Sequence, residues 1–548
     1  MKTSRTLTGG DAVVGALEGL GIPLVFGVAS VHNLPIFDAL TRSPIRLVPT
    51  RTEAGALNMA DAYARVSGGI GVAITSTGTG AGNAAGAMIE AFTAGSRVLH
   101  ITAQIDSAFL GRGTGYIHET KDQLGMLAAI SKRALQAERG RVGEAIAEAV
   151  GILVEFPQGP VSVEIPIDVQ YGRSGFVGAS LAEPLRPQPD AHAVRAAVDA
   201  LESARRPAIW AGGGVNASGA GRELLAVLER SSAALFTSNK GRGAVSEEHP
   251  QCVGNFASHA IGAAFLGDCD LLLSIGTHFR SNETNTYGLQ LPELHIQIDV
   301  DPAAIGRSFA ASLGVVGDAK VTLGLIAQML DHSAPFADFR AEVLAVKSRV
   351  REAVRSTLGP YAKLADALAA HVRSPTVLAR DVTVLSNLIA NRLHNVQEAE
   401  ANVYAVGGGI GQGLAMGIGA ALARPAANVL VLAGDGGFAC SLGEMATATQ
   451  EGLRLGVLLF DDGGYGVLRN TQDAAFGGRR IGVDLTSPDF ELLAEAMGWG
   501  GGSVRDADEF EPALAKLMRS SRQELVVADL ASIGDLTEPF LPPVKIGR

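Results

Sequence analysis

Two acidic residues, Asp435 and Asp462, occupy positions in the sequence where strand ends could hold a divalent cation. Each follows an apolar run that predicts a buried strand, and the two runs cover residues 429–433 and 455–460. A helix-like stretch between them predicts a βαβ unit with parallel strands, whose carboxyl ends meet at the sheet edge where open α/β sheets bind ligands. The two acids are 27 positions apart in the chain, and we expect them to be neighbours in space.

Side-by-side carboxylates repel each other and resist the loss of water, so this arrangement predicts a cation between them. Hard oxygen ligands suit Mg²⁺, which keeps part of its coordination shell for water or for substrate phosphates. The flanking glycines let backbone groups approach a bulky anion closely. An ordinary βαβ unit with acidic strand ends would explain the first Gly-Asp-Gly turn, but the second turn, DDGGYG at 461–466, favours a metal site.

The two turns together resemble the signature of thiamine-diphosphate-dependent enzymes, a Gly-Asp-Gly followed about 27 residues later by an acidic or amide pair. The resemblance implies that Asp435, the Asp462 side chain and the Gly464 carbonyl hold Mg²⁺, which in turn holds the cofactor diphosphate. Most relatives carry Asn where this chain has Asp462, and the extra charge should tighten metal binding while repelling the diphosphate. The residues that the resemblance places around the cofactor at these turns are Gly436, Gly437, Tyr465, Gly466 and Val467.

A second motif lies near the start of the chain, where Glu53 precedes a predicted helix. Taken alone, a glutamate at this junction is typical of a first-turn acid that interacts favourably with the helix dipole. The segment RTEAGALNMADAYAR, however, resembles the family's R-x-E-x-x-A-x-x-x-A-x-x-Y-A-R. In that family the glutamate hydrogen-bonds the cofactor's aminopyrimidine ring and favours the imino tautomer that deprotonates the thiazolium carbon. The resemblance therefore implies that Glu53 is a catalytic residue.

A glycine-rich stretch at 404–421, YAVGGGIGQGLAMGIGAA, carries a third point of resemblance. It is similar to the family's GGLGxGLPxAIGA, in which an apolar side chain wedges between the cofactor rings and a glycine carbonyl accepts from the 4′-amino group. Ile410 and Gly408 match these two positions. Close helix packing would also explain the glycines, but not their position upstream of the Gly-Asp-Gly turn. Relatives often place polar diphosphate ligands further upstream, where this chain offers Thr383 and Ser386.

Two histidines, His32 and His118, are candidates for moving protons at neutral pH. His118 lies in a long glycine-rich polar loop at 105–126, a kind of loop that is more often functional than idle. The two positions resemble active-site positions of benzaldehyde lyase and of acetohydroxyacid synthases. Either residue could equally be an ordinary loop histidine. Some 2-oxoacid decarboxylases share the His-Glu-Thr motif of this loop, so the loop does not decide the reaction.

Composition limits the class of protein. The chain of 548 residues is 47% hydrophobic and 5% aromatic and has 68 glycines, which is typical of a large α/β enzyme with many tight turns. Its formal net charge of −11 argues against a nucleic-acid or anionic-membrane partner. The three cysteines show no disulfide or metal spacing, and no apolar run predicts a signal or membrane segment. We therefore expect a cytoplasmic protein.

The order of these patterns predicts an α/β protein of three doubly wound domains with mainly parallel sheets. Following the resemblance, they are a pyrimidine-binding domain at 1–175, a middle domain at 191–335 and a pyrophosphate-binding domain at 376–548. The glycine-rich turn within 71–83 lacks the GxGxxG register, which argues against a Rossmann dehydrogenase. Some relatives bind FAD in the middle domain, and the glycines at 212–214 are compatible with it, so FAD is possible but not favoured.

The resemblance covers essentially the whole chain and implies a thiamine-diphosphate- and Mg²⁺-dependent carboligase or lyase of the acetohydroxyacid synthase-like group. Its substrate would be a 2-oxo acid, an acyloin or an aldehyde. A simple 2-oxoacid decarboxylase is the alternative, and a non-catalytic homologue that keeps the fold is a more remote one. In the family, Glu53 of one subunit meets the Gly-Asp-Gly turn of another, so the resemblance implies a homodimer as the minimum and favours a homotetramer.

Overall fold

Three sheets of six strands each organise the protein in a computed structural model that describes residues 7–175, 178, 180, 184–331 and 337–542. Every pair of neighbouring strands within these sheets is parallel. The predicted fold class is confirmed, with fully parallel sheets. The strands fall within 24–166, 207–316 and 377–529, each inside one predicted segment, and the domain boundaries themselves stay a prediction.

The first sheet has the strand order β2-β1-β3-β4-β6-β5. Its strands are β1 (Leu24–Gly27), β2 (Arg46–Pro49), β3 (Gly71–Thr75), β4 (Val98–Gln104), β5 (Arg133–Gln136) and β6 (Val161–Pro166). The helices of this domain are α1 (Gly9–Gly19), α2 (Leu34–Leu40), α3 (Glu53–Ser67), α4 (Thr79–Ala94), α5 (Gln123–Ile130), α6 (Val142–Val154) and α7 (Ile167–Tyr171). The predicted loop at 105–126 is shorter than expected, because α5 already begins at Gln123.

The middle sheet has the order β12-β11-β10-β7-β8-β9, which is the doubly wound order of dinucleotide-binding folds. Its strands are β7 (Pro207–Ala211), β8 (Ala234–Thr237), β9 (Cys252–Gly254), β10 (Leu271–Ile275), β11 (Leu294–Asp299) and β12 (Leu313–Val316). Its helices are α8 (Ala191–Ser203), α9 (Gly213–Ser218), α10 (Gly221–Ser231), α11 (Ala260–Gly267) and α12 (Ala319–Met329). The helices α13 (Ala337–Arg355) and α14 (Ala362–His371) connect the middle sheet to the third domain.

The third sheet has the order β14-β13-β15-β16-β18-β17, which repeats the topology of the first sheet strand for strand. Its strands are β13 (Val377–Arg380), β14 (Asn402–Tyr404), β15 (Val429–Gly434), β16 (Gly456–Asp461), β17 (Gly500–Val504) and β18 (Glu524–Asp529). Its helices are α15 (Gly413–Ala423), α16 (Asp435–Ala439), α17 (Glu444–Gln450), α18 (Gly466–Phe476), α19 (Phe490–Ala496), α20 (Phe510–Arg519) and α21 (Leu530–Ile533), with a π-helix at Ser386–Leu393.

The central strands are buried along almost their whole length because helices cover both faces of each sheet. In β15 and β16 the first five residues are all buried, which is the continuous pattern of parallel strands rather than an alternating one. The first residue after such a strand leaves the hydrophobic layer at the carboxyl edge of the sheet. Polar side chains at these positions are therefore brought together by the fold itself.

Helices α3 and α15 join the first domain to the third by sharing one hydrophobic core. Gly419 in α15 lies so near α3 that a Cβ added to it would stand 2.2 Å from the carbonyl oxygen of Met59. The helix α3 is fixed at its start by Thr52, whose hydroxyl accepts a hydrogen bond from the Gly55 N–H. The contact with α15 therefore holds the start of α3 in a set position relative to the third domain.

None of the helices in the described part of the chain is long and apolar enough to cross a membrane.

Gly419→Ala should lower the midpoint of thermal unfolding, because the new Cβ must push α15 away from the backbone of α3. Overpacking of this kind costs about 1–3 kcal/mol. Gly151→Ala in α6 is the matched control, since a Cβ there meets nothing within 4 Å and alanine stabilises a helix relative to glycine. Its midpoint should stay the same or rise. Circular dichroism on heating measures both, and an unchanged midpoint for Gly419→Ala would contradict the close helix contact.

Candidate active site

The turns that follow β15 and β16 lie side by side at the carboxyl edge of the third sheet. The parallel pairing of Gly434 with Phe460 makes Asp435 and Asp462 neighbours, as the βαβ pattern predicted. Asp435 is buried at the start of α16, and the backbone N–H of Asp462 is one of the donors to its carboxylate. A further donor is the Ser487 hydroxyl, whose Oγ lies 3.0 Å from Oδ2 of Asp435.

Repulsion between the two carboxylates raises the free-energy cost of ionising them. Burial raises the pKa of Asp435, and burial together with the Asp435 charge raises the pKa of Asp462 to about 6. Arg469 offsets the charge of Asp462 only in part. Its Nη1 is 3.7 Å from Asp462 Oδ1, while its Nε donates a 2.8 Å hydrogen bond to Asp484. Oδ1 of Asp462 is buried and has no hydrogen-bond partner in the described part of the chain. This edge therefore carries negative charge that the protein's own groups leave incompletely neutralised.

Gly464 adds a backbone oxygen beside the two acids. Its carbonyl oxygen lies 3.1 Å from where a Cβ on Gly436 would stand, so the second turn closes over the first. Gly463 and Gly464 adopt φ angles of 74° and 149°, which residues with a Cβ rarely adopt. Backbone hydrogen bonds of 2.8 Å between 463–465 and 483–485 hold this turn from the other side.

The first turn of α18 completes the edge. The Tyr465 ring lies against Gly436, where a Cβ would come within 2.7 Å of it, and a Cβ on Gly466 would stand 2.0 Å from Oδ2 of Asp462. Both glycines are therefore required for this close approach. Val467 follows in the same helical turn, and no side chain of α18, a helix described throughout, is buried. The structure thus leaves this helix only partly covered beside the acidic pair.

These groups fit a hard cation. The described residues contain no cluster of three or more His, Cys, Asp or Glu side chains that could hold a metal. The donor set at this edge needs no such cluster, because it consists of the carboxylates of Asp435 and Asp462 and the carbonyl of Gly464. An unpartnered carboxylate oxygen, a second acid and a backbone oxygen suit Mg²⁺, which completes its shell with water or phosphate oxygens.

The glycine-rich turn at 407–411 faces the same edge. Gly408 has a φ of 84°, and Ile410 is 43% exposed although its side chain is apolar. The start of the turn is held by Glu90 of the first domain, which accepts hydrogen bonds of 2.6 Å from the N–H groups of Val406 and Gly407. An apolar side chain displayed on a backbone fixed from both sides is consistent with a role in supporting a bound ring.

Asp381 is a site residue that the sequence analysis missed. It is buried at the carboxyl end of β13, where burial raises its pKa to about 6. Its Oδ2 accepts a 2.9 Å hydrogen bond from the Gly411 N–H and lies 3.1 Å from where a Cβ on Gly437 would stand. Asp381 therefore ties the glycine-rich turn to the Gly-Asp-Gly turn. The strand-end argument that identified Asp435 would have identified it too.

Thr383 was predicted from the sequence as a site residue, whereas Ser487 was not. Thr383 is buried with its methyl group against Gly434, and its hydroxyl accepts a 3.0 Å hydrogen bond from the Ser386 N–H. Its predicted role as a diphosphate ligand stays a prediction. Ser487 lies in the irregular segment between α18 and α19, and no spacing or motif in the sequence connects it with Asp435.

Glu53 begins α3 in the first domain, as predicted. Its Oε2 accepts a 3.2 Å hydrogen bond from Asn83, and Oε1 lies 3.0 Å from where a Cβ on Gly80 would stand. The two residues before it are held by Glu444 of α17, which accepts hydrogen bonds from the backbone N–H groups of Arg51 and Thr52. The glutamate is therefore fixed at its base by the third domain, while its carboxylate contacts groups of its own domain.

His32 and His118 are brought together, with 5.0 Å between their ring centroids. His32 is buried, and burial, followed by the nearby His118, lowers the pKa of His32. Nδ1 of each ring is buried and has no hydrogen-bond partner among the described residues. His118 has a φ of 66°, and its carbonyl oxygen lies 2.1 Å from where a Cβ on Gly78 would stand. The two rings are therefore neighbours, and their role in proton transfer at neutral pH stays a prediction.

The three candidate catalytic residues surround one turn, residues 76–80 after β3. Glu53 touches it at Gly80, His118 touches it at Gly78, and His32 is linked to it through Ser30, whose hydroxyl donates to Ser76 at 2.8 Å. They therefore gather at the carboxyl edge of the first sheet, as the acids do at the carboxyl edge of the third. The candidate catalytic residues make their described contacts in the first domain, and the acids make theirs in the third.

The glycines at 212–214 of the middle domain are explained by packing alone. A Cβ on Gly212 would stand 2.1 Å from the Gly276 carbonyl oxygen, and one on Gly214 would stand 2.7 Å from the Gly276 Cα. Asp301, at the end of β11, uses its side chain to cap the Ala303 N–H at 2.9 Å. These contacts need no flavin, so FAD stays possible and not favoured.

Comparison with known proteins agrees with this arrangement. Models of the thiamine pyrophosphate enzyme N-terminal TPP binding domain, central domain and C-terminal TPP binding domain match residues 7–126, 194–326 and 384–529. A "Probable 2-ketoarginine decarboxylase" of Pseudomonas aeruginosa is 34% identical, over 93% of this chain and 92% of the relative. A "Probable acetolactate synthase large subunit" of Methanocaldococcus jannaschii is 29% identical over 98% and 94% of the two chains.

The "Acetolactate synthase isozyme 2 large subunit" of Escherichia coli is 28% identical to the chain, over 98% of each protein. The family models match in the order N-terminal, central and C-terminal domain and together cover well over half of the sequence. The chain therefore belongs to the thiamine pyrophosphate enzyme family.

Proposed function

We propose that this protein uses thiamine diphosphate and Mg²⁺ to cleave or form a carbon–carbon bond next to a carbonyl group. The observation that carries the proposal is the joining of Asp435, Asp462 and the Gly464 carbonyl at one sheet edge. Relatives named as acetolactate synthases and as a 2-ketoarginine decarboxylase support a 2-oxo acid, an acyloin or an aldehyde as substrate. A simple 2-oxoacid decarboxylase remains the second candidate, since the relative named first above carries that activity in its name.

In this proposal Asp435, Asp462 and Gly464 hold Mg²⁺, and the metal holds the diphosphate. Thiamine diphosphate, when bound, supplies a carbon nucleophile for the carbonyl and a sink for the electrons of the broken bond. Backbone N–H groups at Gly436 and Gly437 compensate phosphate charge without a basic patch. Gly408 and Ile410 orient the rings from the glycine-rich turn, and the predicted cofactor-contacting set is completed by Tyr465, Gly466, Val467 and Thr383.

Glu53 and the two histidines handle protons. Glu53 holds a proton at the aminopyrimidine nitrogen, and His32 and His118 accept or donate a proton at the substrate carbonyl oxygen. The lowered pKa of His32 keeps its ring neutral near pH 7, so it is available as a base. Nδ1 of each ring has no hydrogen-bond partner among the described residues, so neither nitrogen is already engaged by another group of the protein.

The active unit is proposed to be a homodimer at least, with a homotetramer favoured. The resemblance implies that Glu53 of one copy meets the acidic pair of another at one cofactor, and in this chain the two groups make their described contacts in different domains. Helix α4 supports this, because Ile89 and Phe92 on it are 48% and 50% exposed. A Cβ on Gly82 or Gly86 of the same helix would meet nothing within 4 Å. Such a face is suited to packing against another helix.

The proposed partners are small molecules rather than a nucleic acid or a membrane, in line with the net charge of −11. A cytoplasmic location is part of the same proposal.

The reaction is tested by incubating the protein with Mg²⁺, thiamine diphosphate and a panel of 2-oxo acids, acyloins and aldehydes. Products are identified by NMR. Acyloin or acetohydroxyacid products are expected for a carboligase or lyase, and an aldehyde plus CO₂ alone would establish the simple decarboxylase. No cofactor-dependent conversion of any substrate class would contradict the proposal and favour a non-catalytic homologue.

Asp435→Ala should weaken Mg²⁺-dependent binding of thiamine diphosphate by more than about tenfold, because one of the two carboxylates is lost. Calorimetric titration of the cofactor at fixed Mg²⁺ measures the change. Asp508→Ala is the matched control, since that carboxylate is exposed and forms only a surface ion pair with Lys363. Normal cofactor affinity in Asp435→Ala would remove this residue from the metal site.

Glu53→Gln should leave cofactor affinity within a few-fold while slowing exchange of the thiazolium C2 proton by about 10²–10⁴, the usual contribution of a positioned acid–base group. NMR of the bound cofactor in D₂O gives the exchange rate. Glu511→Gln, which alters an exposed carboxylate, is the control. Unaltered exchange in Glu53→Gln would exclude the residue from proton transfer at the cofactor.

His32→Ala and His118→Ala should each lower kcat far more than they change cofactor affinity. Because the pKa of His32 is lowered below its ordinary 6.5, its neutral form persists on acidification, so the acid limb of the kcat profile should lie below pH 6.5. His192→Ala, on the exposed side of α8, is the control and should behave like the unmodified protein. Full activity in both variants would make the pair ordinary loop histidines.

A further inference from the structure

A cavity of about 140 Å³ lies where the three domains meet, apart from the candidate active site. The first domain contributes the end of α3 and residues 94–97, and the middle domain contributes Asn216 and residues 239–242. The third domain contributes part of 399–404, just before the glycine-rich turn. An occupant of this cavity would touch all three domains at once.

Lys240 brings a positive charge into this cavity. Its ammonium group donates a 2.7 Å hydrogen bond to the Ala94 carbonyl oxygen and forms no ion pair with a described carboxylate. An ammonium has three donors, so this one hydrogen bond leaves capacity for another acceptor. Burial and the nearby Arg65 lower the pKa of Lys240 to about 7, although Asp61 and Glu90 offset part of that effect.

The direction of the Lys240 side chain is fixed by its surroundings. A Cβ on Gly213 would stand 2.5 Å from its Cγ, so its stem lies directly on that glycine. The Asn216 amide donates to the Lys240 carbonyl oxygen at 2.7 Å and so holds the loop that carries it. The lysine therefore has a defined position in the cavity wall, unlike a surface lysine that is free to move.

Arg97 is a second cation in the cavity wall without a counter-ion among the described residues. It donates a 3.1 Å hydrogen bond to the Gly68 carbonyl oxygen, and burial together with the charge of Arg186 lowers its pKa. The other two arginines of the wall are already compensated, Arg65 by Asp61 at 2.9 Å and Arg242 by Glu247 at 2.7 Å.

The remaining wall is polar rather than acidic. Of the described lining residues, Glu400 carries a negative charge, and it is exposed. Ser96 lines the cavity between Ala94 and Arg97, is 4% exposed, and has a hydroxyl without a hydrogen-bond partner in the described part of the protein. This hydroxyl and two cations that form no ion pair with a described carboxylate line one recess, and together they suit an acceptor with negative charge.

We propose that this cavity binds a small oxyanion, the carboxylate or phosphate group of a small molecule, through Lys240, Arg97 and Ser96. The anion would compensate two cations that the fold brings together without carboxylate partners, and its charge-assisted hydrogen bonds would be the strong kind. Because the bound anion would touch all three domains, its binding would stabilise their native arrangement by mass action. The proposal does not depend on which reaction the active site performs.

The test uses the full-length holoenzyme saturated with Mg²⁺ and thiamine diphosphate, so that the diphosphate site is already filled. Inorganic phosphate and acetate are titrated separately at constant ionic strength with chloride, and binding is followed by calorimetry and by the thermal midpoint. Saturable binding with a rise in midpoint is expected for at least one anion, and the preferred anion distinguishes the two chemistries. Absence of saturable binding for both would overturn the proposal.

Lys240→Gln and Arg97→Gln should each weaken the binding of that anion by about tenfold or more, as expected for loss of a charge-assisted hydrogen bond. Lys320→Gln is the matched control, because Lys320 is exposed on α12 of the same domain. If Lys240→Gln fails to fold because its link to Ala94 is lost, Arg97→Gln alone decides the question. Binding with unmodified affinity in the folded variants would place the anion elsewhere and overturn the proposal.

Discussion

Two carboxylates held side by side at the edge of a parallel sheet are the constraint on which the candidate active site depends. Asp435 is buried, and burial with the Asp435 charge raises the pKa of Asp462 to about 6, so the fold keeps both acids where they repel each other. Such an arrangement is costly unless a cation shares the two charges. The two carboxylates, the carbonyl oxygen of Gly464 and the glycines that permit close approach therefore form one unit that fits a divalent metal ion.

The first and third domains share this design. Their sheets have the same strand order, and each collects its candidate site residues at the carboxyl ends of its strands. The first sheet presents Glu53 and two histidines around one turn, and the third presents acids and glycine-rich turns. In the proposed reaction each domain supplies half of the chemistry, and the proposed active unit is a dimer in which halves from different chains face each other.

Buried carboxylates join the domains of one chain. Glu444 of the third domain binds the backbone of Arg51 and Thr52, and Glu90 of the first domain binds the backbone of Val406 and Gly407. In each case a side chain of one domain fixes the segment next to a candidate site residue of the other. The positions of Glu53 and of Ile410 are therefore set by contacts across the domain boundary, and a disturbance of that boundary would reach both residues.

The sequence by itself determined the fold class, the neighbourhood of Asp435 and Asp462 and the place of Glu53 at the start of a helix. These follow from local regularities, since apolar runs predict strands and parallel strands carry their ends to one edge. Ser487, Glu444 and the cavity around Lys240 were decided only by the tertiary structure. Their partners are 52 to 393 residues away in the chain or belong to another domain, and no local pattern encodes which distant groups packing will bring together.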